Sequence, residues 1–344
     1  MNHTPPATMN EPIPPPEELL NARPGEWITL DESHPTISYL NQKITGRAGT
    51  WEGARFSKAV YLYREAGTSE SLMIKYYQPK TGADAVRHAE GELKKIERVQ
   101  LLGMAVGPLR VIKPIAVWQG VLFLEYVPGL TLADIIAVRR SQPGLMHASL
   151  IKVAEFLVKL HSTETNIEGE IHQFNSAHSI KVARKYVTQL EKYGVLKDEP
   201  DVAEAVKKQI TNWERKPIWS QYKPTLCHGD ATTTNFVFPS QEEVVAIDWE
   251  RLIIADPAMD VGRLLAELNH SLQNQGAQGP EIKSLIDITE AAYTEACPVN
   301  EASDGYLERT RFHQAYSTLR IARNGWIPRS ERMQLVTQAM AWLA

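Results

Sequence analysis

Cysteine is almost absent: Cys227 and Cys297 are the only two in 344 residues. Two thiols exclude a disulfide framework and a cysteine-built zinc cluster. The sequence contains no run of about 18 apolar residues, so no transmembrane helix is expected. The N-terminus lacks the basic start and apolar stretch of a secretion signal, and a cytoplasmic protein is expected. No excess of charge is present, with 37 Lys+Arg against 41 Asp+Glu and a net of -4, which excludes a nucleic-acid footprint. There is no solenoid-type repeat. What remains is an ordinary globular composition, 43% hydrophobic and 23% charged. The length suggests two domains or two lobes, enough to bury a core without staples.

The prolines between Thr4 and Glu18 (Pro5, Pro6, Pro12, Pro14, Pro15 and Pro16) remove backbone donors. They predict a disordered or extended tail over residues 1–30. From about Ile37 to Val127 the text reads as strands around one helix. Ala59–Tyr63 and Ser71–Tyr77 are β-rich runs joined at Glu65–Ser69. Ala83–Leu102 has helical spacing at Leu93, Ile96 and Val99, and Leu109–Trp118 and Val121–Val127 read as further strands. This order implies an antiparallel α+β lobe over 31–127. After Pro128-Gly129 the pattern is helical to the end of the chain, over 128–344, with a β island at Thr225–Asp248.

The chemistry concentrates in that island. A short apolar strand leads into His228-Gly229-Asp230; Asn235 follows five residues on, then a second apolar run, Val244–Ile247, ending in Asp248-Trp249-Glu250. Phosphoryl transfer needs little more than positioning and charge neutralisation. One aspartate must accept the acceptor's proton, while hard oxygen donors such as Asn235 and Asp248 suit Mg²⁺. His228 reads as a brace for the loop, and Asp256-Pro257 as an ordinary helix start.

These residues, together with Asp260, resemble the aminoglycoside phosphotransferase and choline kinase-like family. The resemblance covers roughly Ile37 to the C-terminus and is specific from Cys227 to Leu265. It implies a two-lobed protein-kinase-like α+β fold, with a small antiparallel-sheet N-lobe and a mostly helical C-lobe. It implies ATP as donor, with GTP left open, and Mg²⁺ as cofactor. Asp230 would be the catalytic base, Asn235 and Asp248 the metal ligands, and Asp260 an anchor for the loop. One departure stands out: Ala231-Thr232-Thr233-Thr234 replaces the usual leucine, histidine, proline, glycine loop.

Lys75 lies inside an apolar strand and needs a partner if buried. The resemblance supplies one on the helix, Glu92, with Glu90 as rival, and places Lys75 at the nucleotide phosphates. Gly46 and Gly49 lie in a glycine-rich stretch suited to backbone contact with phosphate. Leu122–Gly129 resembles the hinge between lobes, where backbone groups of Glu125 and Val127 would meet adenine. Leu157–Ser162 resembles the family's leucine-and-histidine helix end, with His161 in a packing role. The family's acceptors bind on C-terminal helices. Here His313, Tyr316, Arg320 and Arg323 follow helical spacing in an arginine-rich stretch that also holds Arg309. A basic face favours a neutral or anionic sugar over an aminoglycoside; a solvated arginine face is the plainer reading. The expected activity is transfer of a γ-phosphoryl group to a small-molecule hydroxyl. The alternatives are a protein kinase, for which only about seven residues separate Asp248 from Asp256, and a non-catalytic nucleotide-binding scaffold.

Overall fold

Alternation organises the first part of the chain. In the computed structural model, which describes residues 12–77, 83–163, 175–297 and 305–344, Ser71–Tyr76 is a strand. Its Leu72, Ile74 and Tyr76 are buried, while Ser71, Met73 and Lys75 turn to the other face, as the period of 2 requires. The chain divides into two compact units, Met1–Pro128 and Gly129–Ala344. The first holds α1 (Glu17–Asn21), β1 (Trp27–Thr29), α2 (Pro35–Tyr39), β2 (Trp51–Arg55), β3 (Val60–Glu65), β4 (Ser71–Tyr76), α3 (Ala83–Val99), β5 (Leu109–Val111), β6 (Pro114–Trp118) and β7 (Val121–Glu125). Its sheet runs β1-β2-β3-β4-β7-β6, antiparallel between every pair of neighbours.

Two expectations change here. Residues 1–11 of the proline-rich segment lie outside the described residues, but 12–30 are not a tail. Trp27–Thr29 pairs with Glu52–Ala54, and Leu19 and Leu30 join Ile37, Leu40, Trp51, Tyr61 and Ile74 in one buried cluster. Each such side chain contributes about 1.5–3 kcal/mol on burial, which offsets the ordering of a short segment. The prolines fall where no donor is needed, Pro16 at the N-cap of α1 and Pro35 in the first turn of α2. Ile37 therefore lies in a helix rather than a strand, and a π-helical turn, Leu40–Ile44, continues it.

The second unit holds β8 (Leu130–Thr131), α4 (Leu132–Val138), α5 (Pro143–His161), α6 (Ser176–Tyr193), α7 (Pro200–Glu214), β9 (Thr225–Cys227), β10 (Phe236–Ser240), β11 (Glu243–Ala246), β12 (Ile253–Ala255), α8 (Ala258–Asn274), α9 (Gly279–Ala296), α10 (Tyr306–Ala322) and α11 (Arg329–Leu343). β10 and β11 form a hairpin with β8 beside β10, and β12 pairs with β9. The core of this unit lies among α6, α7, α10 and α11. Gly262 lets α8 and α10 close on each other: a Cβ there would meet Thr310 O and His313 Cβ at 2.7 Å. That close crossing sets arginines from both helices beside the loop that follows β9. No described helix is long and apolar enough to cross a membrane.

Candidate active site

The loop after β9 is held from beneath by one carboxylate. Asp260, fully buried in the first turn of α8, accepts bonds from the backbone N–H of His228 at 2.6 Å and of Gly229 at 2.9 Å. His161 at the end of α5 lies 3.2 Å from the same carboxylate and reaches Tyr293 Oη with its other ring nitrogen at 2.7 Å. Burial pushes Asp260 upward, but His161, His228 and the Gly229 N–H hold it below the usual aspartate value. Gly229 has φ 79°, and a Cβ there would lie 1.9 Å from Arg251 O, so only glycine fits between His228 and Asp230. The His228 ring braces the other side. Its Nε2 meets Ile247 O at 3.0 Å, and it packs on Trp249 with centroids 4.5 Å apart.

The β10–β11 register brings two hard oxygen donors to one end of the hairpin. Phe236 pairs with Ala246, and Ile247 N–H donates to Asn235 O at 3.0 Å, so Asn235 and Asp248 flank the same strand ends. Asn235 donates its side-chain amide to Asp230 O at 2.9 Å. That leaves its oxygen only a long 3.5 Å contact from Thr234 Oγ1. Asp248 has φ 64° and ψ 67°, a left-handed conformation that is costly for any residue with a Cβ and that Asp tolerates better than most. Both side chains are hard oxygen donors and fit Mg²⁺. The threonines that replace the family's usual loop bond locally: Thr232 Oγ1 lies 3.1 Å from Thr234 Oγ1, and Thr233 Oγ1 lies 3.3 Å from Ser271 Oγ on α8.

Three guanidiniums surround Asp230. Arg263 of α8 donates to Asp230 Oδ1 at 2.8 Å and also to Gly229 O. Arg320 of α10 lies 3.7 Å from Oδ1, and Arg251 lies 3.7 Å from Oδ2. Burial pushes the Asp230 carboxyl up, but Arg263, Arg320 and Arg251 outweigh it and hold it below the usual value. Sequence reasoning named only Arg320. Arg263 carried the same signal as Lys75, a charge inside an apolar run (Val261-Gly262-Arg263-Leu264-Leu265). Nothing local distinguishes Arg251, or Glu267, which pairs with Arg320.

In the first unit Lys75 Nζ meets Glu92 Oε2 at 2.7 Å, with side chains 14% and 1% exposed. Glu92, not Glu90, is the partner, and Tyr77 Oη also donates to it. Gly46 opens the turn before β2, and Gly49 packs against Glu65, which Arg47 pairs with. Glu125 donates its backbone N–H to Lys113 O at 3.0 Å and accepts on its side chain from Arg110 and Lys113 N–H. That N–H is therefore occupied; Val127 is buried.

The four residues expected at the acceptor divide. His313 and Tyr316 are buried, 1% and 4% exposed, among the rings of Trp219, Phe312 and Tyr186. They line no open face, because α10 runs through the core of its unit. Arg320 reaches Asp230, while Arg323 caps α10 and lies over the Tyr186 ring at 4.2 Å. Arg309 is likewise no surface charge; it is fully buried and holds Asp256 at 2.7 Å.

The sequence profile of the phosphotransferase enzyme family matches residues 62–293, two thirds of the chain. The protein belongs to this phosphotransferase family. Its fold is the protein-kinase-like fold of small-molecule kinases. The GDP complex of an aminoglycoside 2'-phosphotransferase-IIIa superposes with a TM-score of 0.61 at 18% identity, covering 90% of this chain and 99% of that one. A choline kinase from Streptococcus pneumoniae gives 0.54 at 17%, covering 84% and 91%. An ethanolamine kinase from Plasmodium vivax gives 0.55 at 13%, covering 85% and 81%. A search of curated protein sequences found no match.

Proposed function

We propose that this phosphotransferase moves the γ-phosphoryl group of ATP to a hydroxyl of a small molecule, with Asp230 as base. The observation that carries the reading is the loop itself. Asp230 is held by Arg263 and by the Asp260-anchored backbone, and is tied through its carbonyl to Asn235 at the mouth of the β10–β11 hairpin. The acceptor oxygen forms the new bond to phosphorus. The bond from the γ-phosphorus to its bridging oxygen breaks, its electron pair leaves with the nucleoside diphosphate, and the hydroxyl proton passes to Asp230. Asn235 and Asp248 would hold Mg²⁺, which supplies charge neutralisation at the phosphates. Lys75, oriented by Glu92, would contact the phosphates, with backbone near Gly46 and Gly49 covering them. The hinge around Glu125 and Val127 would meet the base; with the Glu125 N–H occupied, its carbonyl and Val127 are the available groups. His228 and Asp260 act by bracing the loop.

GTP remains an alternative donor, since one similar structure is a GDP complex and another holds ATP. The test is nucleotide consumption with ATP or GTP and Mg²⁺ across amino alcohols, aminoglycosides, sugars and nucleosides. Acceptor-dependent release of ADP or GDP is expected. A protein that binds neither nucleotide in the presence of Mg²⁺ would refute the reading.

A further inference from the structure

We infer that the acceptor carries an oxyanion, a carboxylate or a phosphate, held beside Asp230 by the guanidiniums of Arg320 and Arg251. The inference rests on the phosphotransferase reading above and names the chemistry of its unassigned substrate.

The three arginines around Asp230 are not equivalent. Arg263 is enclosed by the fold, although its Nε, like that of Arg320, has no hydrogen-bond partner among the described residues. Its side chain is 4% exposed, and one nitrogen serves both the Asp230 carboxylate and the Gly229 carbonyl. That contact alone fixes the carboxylate, and each further cation weakens it as a proton acceptor. A base has no use for the other two.

The other two are incompletely satisfied and also reach the surface. Arg320 is 22% exposed, and Glu267 of α8 pairs with its Nη2 and fixes its orientation. Its Nη1 stands 3.7 Å from Asp230 Oδ1, beyond hydrogen-bond distance. Its Nε is buried and has no hydrogen-bond partner among the described residues. Arg251 is half exposed, with Nε 3.7 Å from Asp230 Oδ2 and 3.7 Å from Glu250 Oε1, attracted to both and bonded to neither. A guanidinium presents five N–H donors in a flat fork that fits the paired oxygens of carboxylate or phosphate. Unfilled donors on two forks, on either side of one carboxylate, suit an oxyanion placed next to the reacting hydroxyl. An ammonium group there would be repelled by three guanidiniums, so amine-rich acceptors are disfavoured.

The test loads the enzyme with Mg²⁺ and ADP, so that the donor site is filled, and titrates it with inorganic phosphate and separately with acetate. Wild type is expected to bind one or both saturably, and the stronger of the two identifies the oxyanion. Arg320→Gln and Arg251→Gln should each weaken that binding by about tenfold or more. Arg329→Gln, on α11 beside Asp198 and Glu199, should not. Arg251 is half exposed, so its variant tests the inference even if Arg320→Gln misfolds. Phosphate and acetate that fail to bind, or that bind Arg251→Gln as well as wild type, overturn the inference. So does a panel of matched alcohols in which the amine-bearing member is consumed faster than its carboxylate or phosphate counterpart. If the arginines serve the nucleotide instead, Arg251→Gln would raise the KM for ATP and leave the anion titration unchanged, which also overturns it. Binding of MgATP to the same wild-type sample judges the phosphotransferase reading separately.

Discussion

Arg263 reaches from the second turn of α8 to Asp230, its Nη1 2.8 Å from the carboxylate oxygen, and so ties the loop after β9 to a helix. Three residues earlier on the same helix, Asp260 holds the loop's backbone N–H groups. A cation and an anion one turn apart thus hold His228-Gly229-Asp230 together. Removing either should loosen a loop whose residues stay chemically intact.

Arg263→Met is therefore expected to lower kcat while the KM for ATP changes little. It also removes the guanidinium hydrogen-bonded to a largely buried carboxylate, which costs about 1.5–3 kcal/mol with Arg320 and Arg251 still nearby. Stopped activity with an unchanged denaturation midpoint would contradict the second half of this expectation. Asp230→Asn should instead keep the fold and nucleotide binding and lose about 10²–10⁴-fold in turnover. Titration calorimetry and a nucleotide-consumption assay separate the two effects.

Asp248 combines a left-handed backbone with a proposed role as metal ligand. Asp248→Gly should change stability by less than about 1 kcal/mol, relief of the left-handed backbone being offset by the greater freedom glycine loses on folding. The same variant should lose the effect of Mg²⁺ on nucleotide binding. Denaturant unfolding and ATP titrations with and without Mg²⁺ report the two halves independently. An undiminished Mg²⁺ effect would remove Asp248 from the metal site.

The Lys75–Glu92 pair is buried rather than exposed, which changes what its loss should do. A surface pair contributes about 0–1 kcal/mol, whereas a buried carboxylate that loses its cation is expensive. Lys75→Met should destabilise the protein, and adding Glu92→Gln should recover part of that loss. Both variants should be poor phosphotransferases. A double-mutant cycle on unfolding free energy measures the coupling, and additive effects would show that the pair does not stabilise.

His313 gives the pH prediction. Burial, with Arg309 and Arg263 nearby, depresses its pKa from 6.5 to about 3, against a small opposing pull from Asp260; the Asp256 carboxylate 4.0 Å away is already paired with Arg309. Below about pH 6.5 the unfolded chain takes up a proton at this residue that the folded chain refuses until about pH 3. Stability is therefore lost as pH falls through that window, by up to about 1.4 kcal/mol per pH unit from this one group. His313→Leu should flatten the slope between pH 6.5 and 4, measured by urea unfolding at each pH. An identical slope in the variant would show that the imidazole titrates normally.

The kinase-like class and the loop around Asp230 were legible in the residue order, because the motifs that carry the family resemblance are contiguous in the chain. Strand alternation, the His-Gly-Asp turn with its obligatory glycine, and Asn235 and Asp248 at the ends of paired apolar runs are all contiguous in the chain. The Lys75–Glu92 pair was also legible: a charge in an apolar strand asks for a partner, and the family resemblance pointed to Glu92. What surrounds Asp230 was not. Arg251, Arg263, Glu267 and Arg320 are brought together by the α8–α10 crossing at Gly262 and by the turn after Asp248. Helical spacing gave His313, Tyr316 and Arg320 one face, and packing then buried two of them and left the third beside the carboxylate. Residues 12–30 show the same limit from the other side. Their prolines argued against pairing, but the apolar side chains between them found a sheet face to cover. Local pattern sets which residues can carry charge or apolar surface; only the packed structure decides which of them is desolvated and which charge it meets.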